Sequence, residues 1–185
     1  MDTQMIEEGY LELILGPMFS GKTTRLIQIY KEFTYIQQAV LVINYYADTR
    51  YDSTLLSTHD KTMIPCVHAK RIGDVNTWKA HDVIIINEGQ FFQDIFESVL
   101  EMVDVYHKRV YICGLDGDFK RNKFGNLLDL IPHADEVTKL KSLCATCKNG
   151  KRAIFSKRVS TEDSQIVIGS DNYIPLCRNC YNNSG

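Results

Sequence analysis

Four short runs of apolar and β-branched residues recur along the chain: YLELIL at 10–15, AVLVIN at 39–44, DVIIIN at 82–87 and RVYIC at 109–113. They are nearly continuous rather than alternating, which predicts strands of a parallel sheet buried on both faces. Between the first two, TTRLIQIYKEF places Leu26, Ile29, Tyr30 and Phe33 at steps of three and four, the spacing of one helical face. Strand, helix and strand in that order predict a βαβ unit. The segment FFQDIFESVLEMVDVYHK repeats the helical period between the third and fourth runs. After Leu140 the pattern breaks and Cys, Lys and Asn become frequent, so a module boundary is expected near residue 141, separating 1–141 from 142–185.

Composition sharpens this picture at a few points. With 185 residues, 44% hydrophobic and 24% charged, the chain can bury one main core with room for an appended module. Lys and Arg are scattered and the formal net charge is −2, so a surface that wraps nucleic acid is not expected. The start, MDTQMIEEGY, lacks a basic segment followed by an apolar run, and no stretch approaches the ~20 apolar residues that span a bilayer. No membrane association and a cytoplasmic location are therefore expected. In a reducing compartment, six cysteines point to metal binding before disulfides.

Residues 16–23 read GPMFSGKT, which matches G-x-x-x-x-G-K-[ST] between a predicted strand and a predicted helix. Gly16 and Gly21 let the backbone turn tightly, so the amides of Pro17-flanked Met18, Phe19, Ser20 and the helix start at Lys22, Thr23 and Thr24 can face phosphate oxygens. Lys22 brings a point charge to the β- and γ-phosphates, and the Thr23 hydroxyl suits Mg²⁺. The third apolar run leads straight into Glu88, which puts a carboxylate at the sheet edge where ligands of open α/β folds collect. A carboxylate there can accept the proton of an attacking hydroxyl. At 48–50, Asp-Thr-Arg reads equally well as an exposed turn.

Cys144-x-x-Cys147 and Cys177-x-x-Cys180 form two knuckles separated by 29 residues, enough thiolates to close a tetrahedral structural Zn²⁺ site. The weaker alternative is a redox pair or unpaired thiols. Cys66 and Cys113 stand alone, and Cys113 on its apolar strand reads as a small core residue.

Taken in order, GPMFSGKT, DTRY at 48–51, NEGQFF at 87–92, LDGDF at 115–119 and the two C-x-x-C pairs closely resemble the class II (cellular-type) thymidine kinase family, also found in large DNA viruses. The resemblance spans roughly residues 10–181. It implies a RecA-like P-loop parallel sheet flanked by helices, a zinc-held lasso module, and transfer of the ATP γ-phosphate to the 5′-hydroxyl of thymidine. It implies that Glu88 is the base, that Lys22 and Arg50 stabilise charge on the phosphoryl group, and that Asp48 holds Mg²⁺ alongside Thr23. Asn87 and Gln90 fall among the nucleotide-binding positions. The thymine pocket maps to Met18, Phe91, Leu115, Phe119 and Phe124. From the lasso come Ser156, Val167, Ile168 and Gly169, with Tyr173 closing over the base. A homotetramer and feedback inhibition by dTTP are also implied.

Three departures from the family pattern stand out. Asn87 replaces the acid that usually precedes the catalytic Glu, and an amide contributes less field to Mg²⁺ than a carboxylate. GSDNY at 169–173 is one residue shorter than the common pattern. The stretch CKNGKRAIFS after the first knuckle is two residues longer, with a turn expected at Asn149-Gly150. The competing reading is a P-loop ATPase whose zinc module binds nucleic acid or a partner protein. It leaves the lone Glu88 and the aromatic LDGDF loop without a role.

Overall fold

The computed structural model describes residues 8–47, 55–57, 62–166, 169 and 171–184. In chain order the elements are β1 (Tyr10–Leu15), α1 (Lys22–Tyr35), β2 (Val40–Tyr45), β3 (Leu55–Ser57), β4 (Met63–Pro65), β5 (Val67–Ala69) and β6 (Val83–Ile86). They continue with α2 (Ile95–Leu100), β7 (Arg109–Gly114), β8 (Glu136–Lys139), β9 (Ser142–Leu143), β10 (Arg152–Ala153), β11 (Phe155–Arg158), β12 (Tyr173–Leu176) and α3 (Arg178–Asn182).

Six strands form one parallel sheet in the order β5-β2-β6-β7-β1-β8. Because side chains alternate across a strand, each apolar run feeds two cores. Leu11, Leu13, Leu41, Ile43, Ile84, Ile86, Val110 and Ile112 line one face and pack with α2 residues Ile95 and Val99. Ile14, Val42, Val83, Ile85, Tyr111 and Cys113 line the other, beneath α1. That is why the strands read as unbroken hydrophobic runs. On α1 the buried Leu26, Ile27 and Ile29 and the half-buried Tyr30 and Phe33 meet this second core, as the periodicity predicts.

The expected long helix before β7 is shorter and less regular. Gly89–Phe91 forms a 3₁₀ turn, α2 follows, and Glu101–Val105 widens into a π turn. The widened turn lays the Val103 carbonyl against Gly9, where a Cβ would sit 2.2 Å from that oxygen. Strands β5 and β8 lie at the two sheet edges, and their short, partly polar sequences hide them from a pattern search.

Beyond β8 the chain builds two small antiparallel ladders, β9 with β10 and β11 with β12. Their core is Cys144, Ala153, Leu176 and Cys177, separate from the sheet's two cores. The turn expected at Asn149-Gly150 is present: Gly150 has φ +82°, and the Asn149 side chain accepts the Lys151 amide at 3.3 Å.

Candidate active site

The phosphate loop leaves β1 at Leu15 and closes onto α1. Gly16 has φ +154°, and a Cβ there would lie 2.7 Å from the Leu140 carbonyl, so this turn excludes a side chain. Gly21 is the left-handed N-cap of α1; no side chain caps the helix and its first turn contains no acid. The first amides of α1 thus keep their donors for an anion. Lys22 is buried and donates through Nζ to the carbonyls of Gly16 at 3.0 Å and Pro17 at 2.9 Å, which curls the loop around its own ammonium group. The Ser20 hydroxyl is buried with no hydrogen-bond partner among the described residues. A buried, unsatisfied hydroxyl inside a ring of amides fits a phosphate oxygen. Thr23 is half-buried and Thr24 exposed in the first turn of α1, and Phe19 is exposed with φ +61°.

Glu88 follows β6, two strands away from β1 in the sheet, hence roughly 10 Å across at ordinary strand spacing. It takes a left-handed backbone, φ 57° and ψ 44°, which costs a non-glycine residue about 1–2 kcal/mol. Outliers of this kind gather where a side chain must be aimed. Gln90 holds the aim: its Nε2 donates to Glu88 Oε2 at 2.7 Å, and its Oε1 accepts the Leu115 amide at 3.0 Å. Gln90 is itself buried under Gly125, whose φ is +61° and where a Cβ would lie 2.2 Å from the Gln90 carbonyl. One amide therefore couples the end of β6 to the loop after β7.

Asn87 is fully buried. Its Nδ2 donates to Asn44 Oδ1 at 2.8 Å, its Oδ1 accepts the Cys113 thiol at 3.0 Å, and Asn44 Nδ2 lies 3.2 Å from His68 Nε2. The chain of polar contacts runs across β7, β6, β2 and β5 just below the sheet edge. Nothing in sequence spacing links these four positions, because they come together only through strand order.

The aromatic residues expected around a base form two walls. Phe91 meets Phe124 edge-on at 5.4 Å, and Tyr45, at the end of β2, packs on Phe91 at 5.0 Å. Burial pushes the Tyr45 hydroxyl above its usual range. Phe119 lies under the Arg158 guanidinium at 3.8 Å, and that guanidinium also donates to the Tyr173 hydroxyl at 2.6 Å. Ser156 Oγ accepts the Met18 amide at 2.9 Å, tying the phosphate loop to β11. Asp118 folds its own loop by accepting the amides of Lys120 and Asn122, and its other oxygen accepts Gln165 Nε2 at 2.9 Å. Gly169 is half-buried with φ +131°. Asp48, Arg50, Val167 and Ile168 lie outside the described residues. Tyr45, Asp118 and Arg158 were missed by sequence reasoning. The last is the only Arg between residues 156 and 173, a weak signal that gives no hint of its burial.

The sulfurs of Cys144, Cys147, Cys177 and Cys180 lie within 4.8 Å of one another. Four thiolates about 2.3 Å from a common zinc ion have sulfurs about 3.8 Å apart, inside this limit, so the set could hold the metal. Burial pushes the Cys144 thiol up, but hydrogen bonds from the backbone at Cys147, Cys177 and Thr146 outweigh it and hold the group down to about 6. The thiol of Cys180 is pushed up to about 12, first by its bond with Cys177 and then by burial, and that of Cys147 is raised by burial and its bond to Cys144. Cys144 thus loses its proton readily while Cys147 and Cys180 hold theirs, unless a divalent cation offsets the accumulating charge.

The thymidine kinase family model matches residues 9–181, which takes in the phosphate loop, Glu88, both aromatic walls and the cysteine cluster. The chain belongs to the thymidine kinase family. It is 43% identical to the thymidine kinase of variola virus over 94% of this chain and 97% of that one. It is 41% identical to thymidine kinase 1 of Dictyostelium discoideum over 94% of this chain and 78% of that one, and 38% identical to the cytosolic thymidine kinase of Gallus gallus over 94% and 77%. Membership of this family implies ATP as phosphoryl donor. No helix among the described residues is long and apolar enough to cross a membrane.

Proposed function

We infer that this protein is an ATP:thymidine 5′-phosphotransferase, forming dTMP and ADP. The observation that carries the reading is the family match from 9 to 181 across a phosphate loop and a carboxylate at the same sheet edge. In this reading ATP lies with its phosphates in the 16–24 loop, where backbone amides and Lys22 hold the β- and γ-phosphoryl groups, with Asn87 and Gln90 at its margin. Lys22 leaves the carbonyls of Gly16 and Pro17 to meet the phosphates. Glu88 takes the proton of the 5′-hydroxyl as the O5′–P bond forms and the bond from the γ-phosphorus to the bridging oxygen breaks, releasing ADP. Its strained backbone and the Gln90 bond support that role, since both fix the carboxylate before substrate arrives. Arg50 supplies further positive charge to the phosphoryl group.

Thr23 and Asp48 offer hard oxygen donors of the kind Mg²⁺ takes, and the bound ion would neutralise phosphate charge. Thymine would lie between the Phe91–Phe124 wall and the Phe119–Tyr173 wall, with Met18 and Leu115 beneath. Ser156, Val167, Ile168 and Gly169 would meet its edge. The separate core around Cys144 and Cys177 supports a two-part organisation: a kinase domain over 1–141 and a lid over 142–185. Zinc in the cysteine cluster would hold the two ends of that lid together. A homotetramer, inhibition by dTTP in the acceptor pocket and a cytoplasmic location belong to the same reading through the family resemblance.

The test is direct: purified protein with ATP, Mg²⁺ and thymidine is expected to form dTMP, read by chromatography. ATP turnover that ignores thymidine but rises with single-stranded DNA would replace this reading with the ATPase one.

A further inference from the structure

We propose that Arg158 is the positioning residue that assembles the nucleoside side of the site, by gathering both legs of the lasso loop and stacking them on Phe119. The proposal rests on the thymidine kinase reading above.

Strand β11 alternates half-buried and buried residues, so Ser156 and Arg158 share its buried face. Two residues apart, they do different work. Ser156 receives the Met18 amide of the phosphate loop, and Arg158 reaches into the loop that follows. Its Nη1 donates to the carbonyls of Glu162, at 2.9 Å, and Ser164; its Nη2 donates to the Gln165 carbonyl at 3.1 Å and to the Tyr173 hydroxyl at 2.6 Å. The guanidinium carbon Cζ lies 3.8 Å from the centre of the Phe119 ring.

A guanidinium stays charged at any working pH and is costly to bury. Arg158 is nevertheless buried, with no carboxylate paired to it among the described residues and with Nε lacking a partner. Its charge is met by carbonyl dipoles and an aromatic face instead. An ion pair would fix two points, whereas this arrangement fixes a loop. Residues 162–165 are the leg just before the segment expected to face the base, and Tyr173, opposite Arg158 in the β11–β12 register, begins the returning leg. Phe119 comes from the aromatic wall on the main domain. Three parts of the nucleoside pocket therefore meet on one side chain. Gln165 bonded to Asp118, and the exposed Lys120–Asp163 pair at 3.0 Å, add to the same docking. Lysine cannot substitute: it carries a point charge with no planar face and no fork to reach carbonyls and a phenol together.

The experiment compares steady-state kinetics of the wild type, Arg158→Gln and Arg158→Lys, with thermal melts and zinc content measured on each. Loss of a buried donor set to which several acceptors are fitted predicts a rise in the KM for thymidine of about 10-fold or more in Arg158→Gln. The KM for ATP is expected to stay within about 2-fold, since the phosphate loop keeps its own amides. Lysine should fail to restore the thymidine KM although it restores the charge. A wild-type thymidine KM in either variant, or equal losses toward both substrates, overturns the proposal. If Arg158→Gln does not yield folded protein, Arg158→Lys decides alone on the same criterion. A wild type that forms no dTMP would sink the kinase reading itself, which separates the two failures.

Discussion

At the scale of single residues, the proposed chemistry turns on how Glu88 and its neighbours are held. Glu88 could be named from sequence because it ends an apolar run beside a phosphate loop; its left-handed backbone and its bond to Gln90 could not. Replacing Glu88 by Gln is expected to lower kcat by roughly 10²–10⁴ while leaving ATP affinity nearly unchanged, because the shape persists and the proposed proton acceptor is lost. Single-turnover kinetics with a separate ATP titration checks this, and full turnover would remove Glu88 from the reaction. Asn87 teaches a related lesson. Sequence read it as a weak substitute for an acid near Mg²⁺; the structure adds that its amide bonds Asn44 and the Cys113 thiol inside the sheet. Cys113, read as a plain core residue, is buried as expected but also donates a hydrogen bond.

Among elements, the β1–β8 pair carries an unusual charge. Glu12 is buried beneath α1 and faces Glu136 directly across the ladder, with Tyr10 bonded to both carboxylates and Arg25, Glu32 and Tyr111 near it. Burial first, and then the Glu136 charge, pushes the Glu12 carboxyl above its usual range. The folded chain therefore holds this proton more tightly than the unfolded chain, so the group's contribution to stability is present at acid pH and lost as pH rises through its folded pKa. Glu12→Gln, which keeps the shape without the charge, is expected to raise Tm by about 2–4 °C near neutral pH. The gain should shrink as the pH is lowered into the carboxylate range; a pH-independent gain would contradict the argument. The helix before β7 shows the converse limit of pattern reading. Its apolar period was visible, but its break into 3₁₀, α and π turns answers to neighbours such as Gly9.

For the whole molecule, the main question is how a small cysteine-bound module acts on a sheet-edge site. The two are linked through Ser156 and Met18, through Arg158 and Phe119, and through Gln165 and Asp118. Zinc held by the four cysteines, as proposed, would fix the ends of the lasso and lower the entropy lost when it closes on substrate. Chelating zinc from the folded enzyme is thus expected to raise the KM for thymidine by about threefold or more beyond any change in that for ATP. Equal losses accompanied by a collapsed near-ultraviolet circular dichroism signal would mean global unfolding instead.

The sequence by itself determined the local elements and the chemistry that local order encodes. Continuous apolar runs require strands buried on both faces, a GPMFSGKT turn between strand and helix makes an anion cradle, and paired C-x-x-C knuckles supply four soft ligands. Strand order, however, is a choice among long-range pairings, and only the tertiary structure decided it. With that order came the Cys113–Asn87–Asn44–His68 chain, the Gln90 bridge from Glu88 to Leu115, and the meeting of Arg158 with Phe119 and Tyr173. Each joins residues far apart in the chain, and periodicity along a sequence holds no record of which distant side chains will share a hydrogen bond.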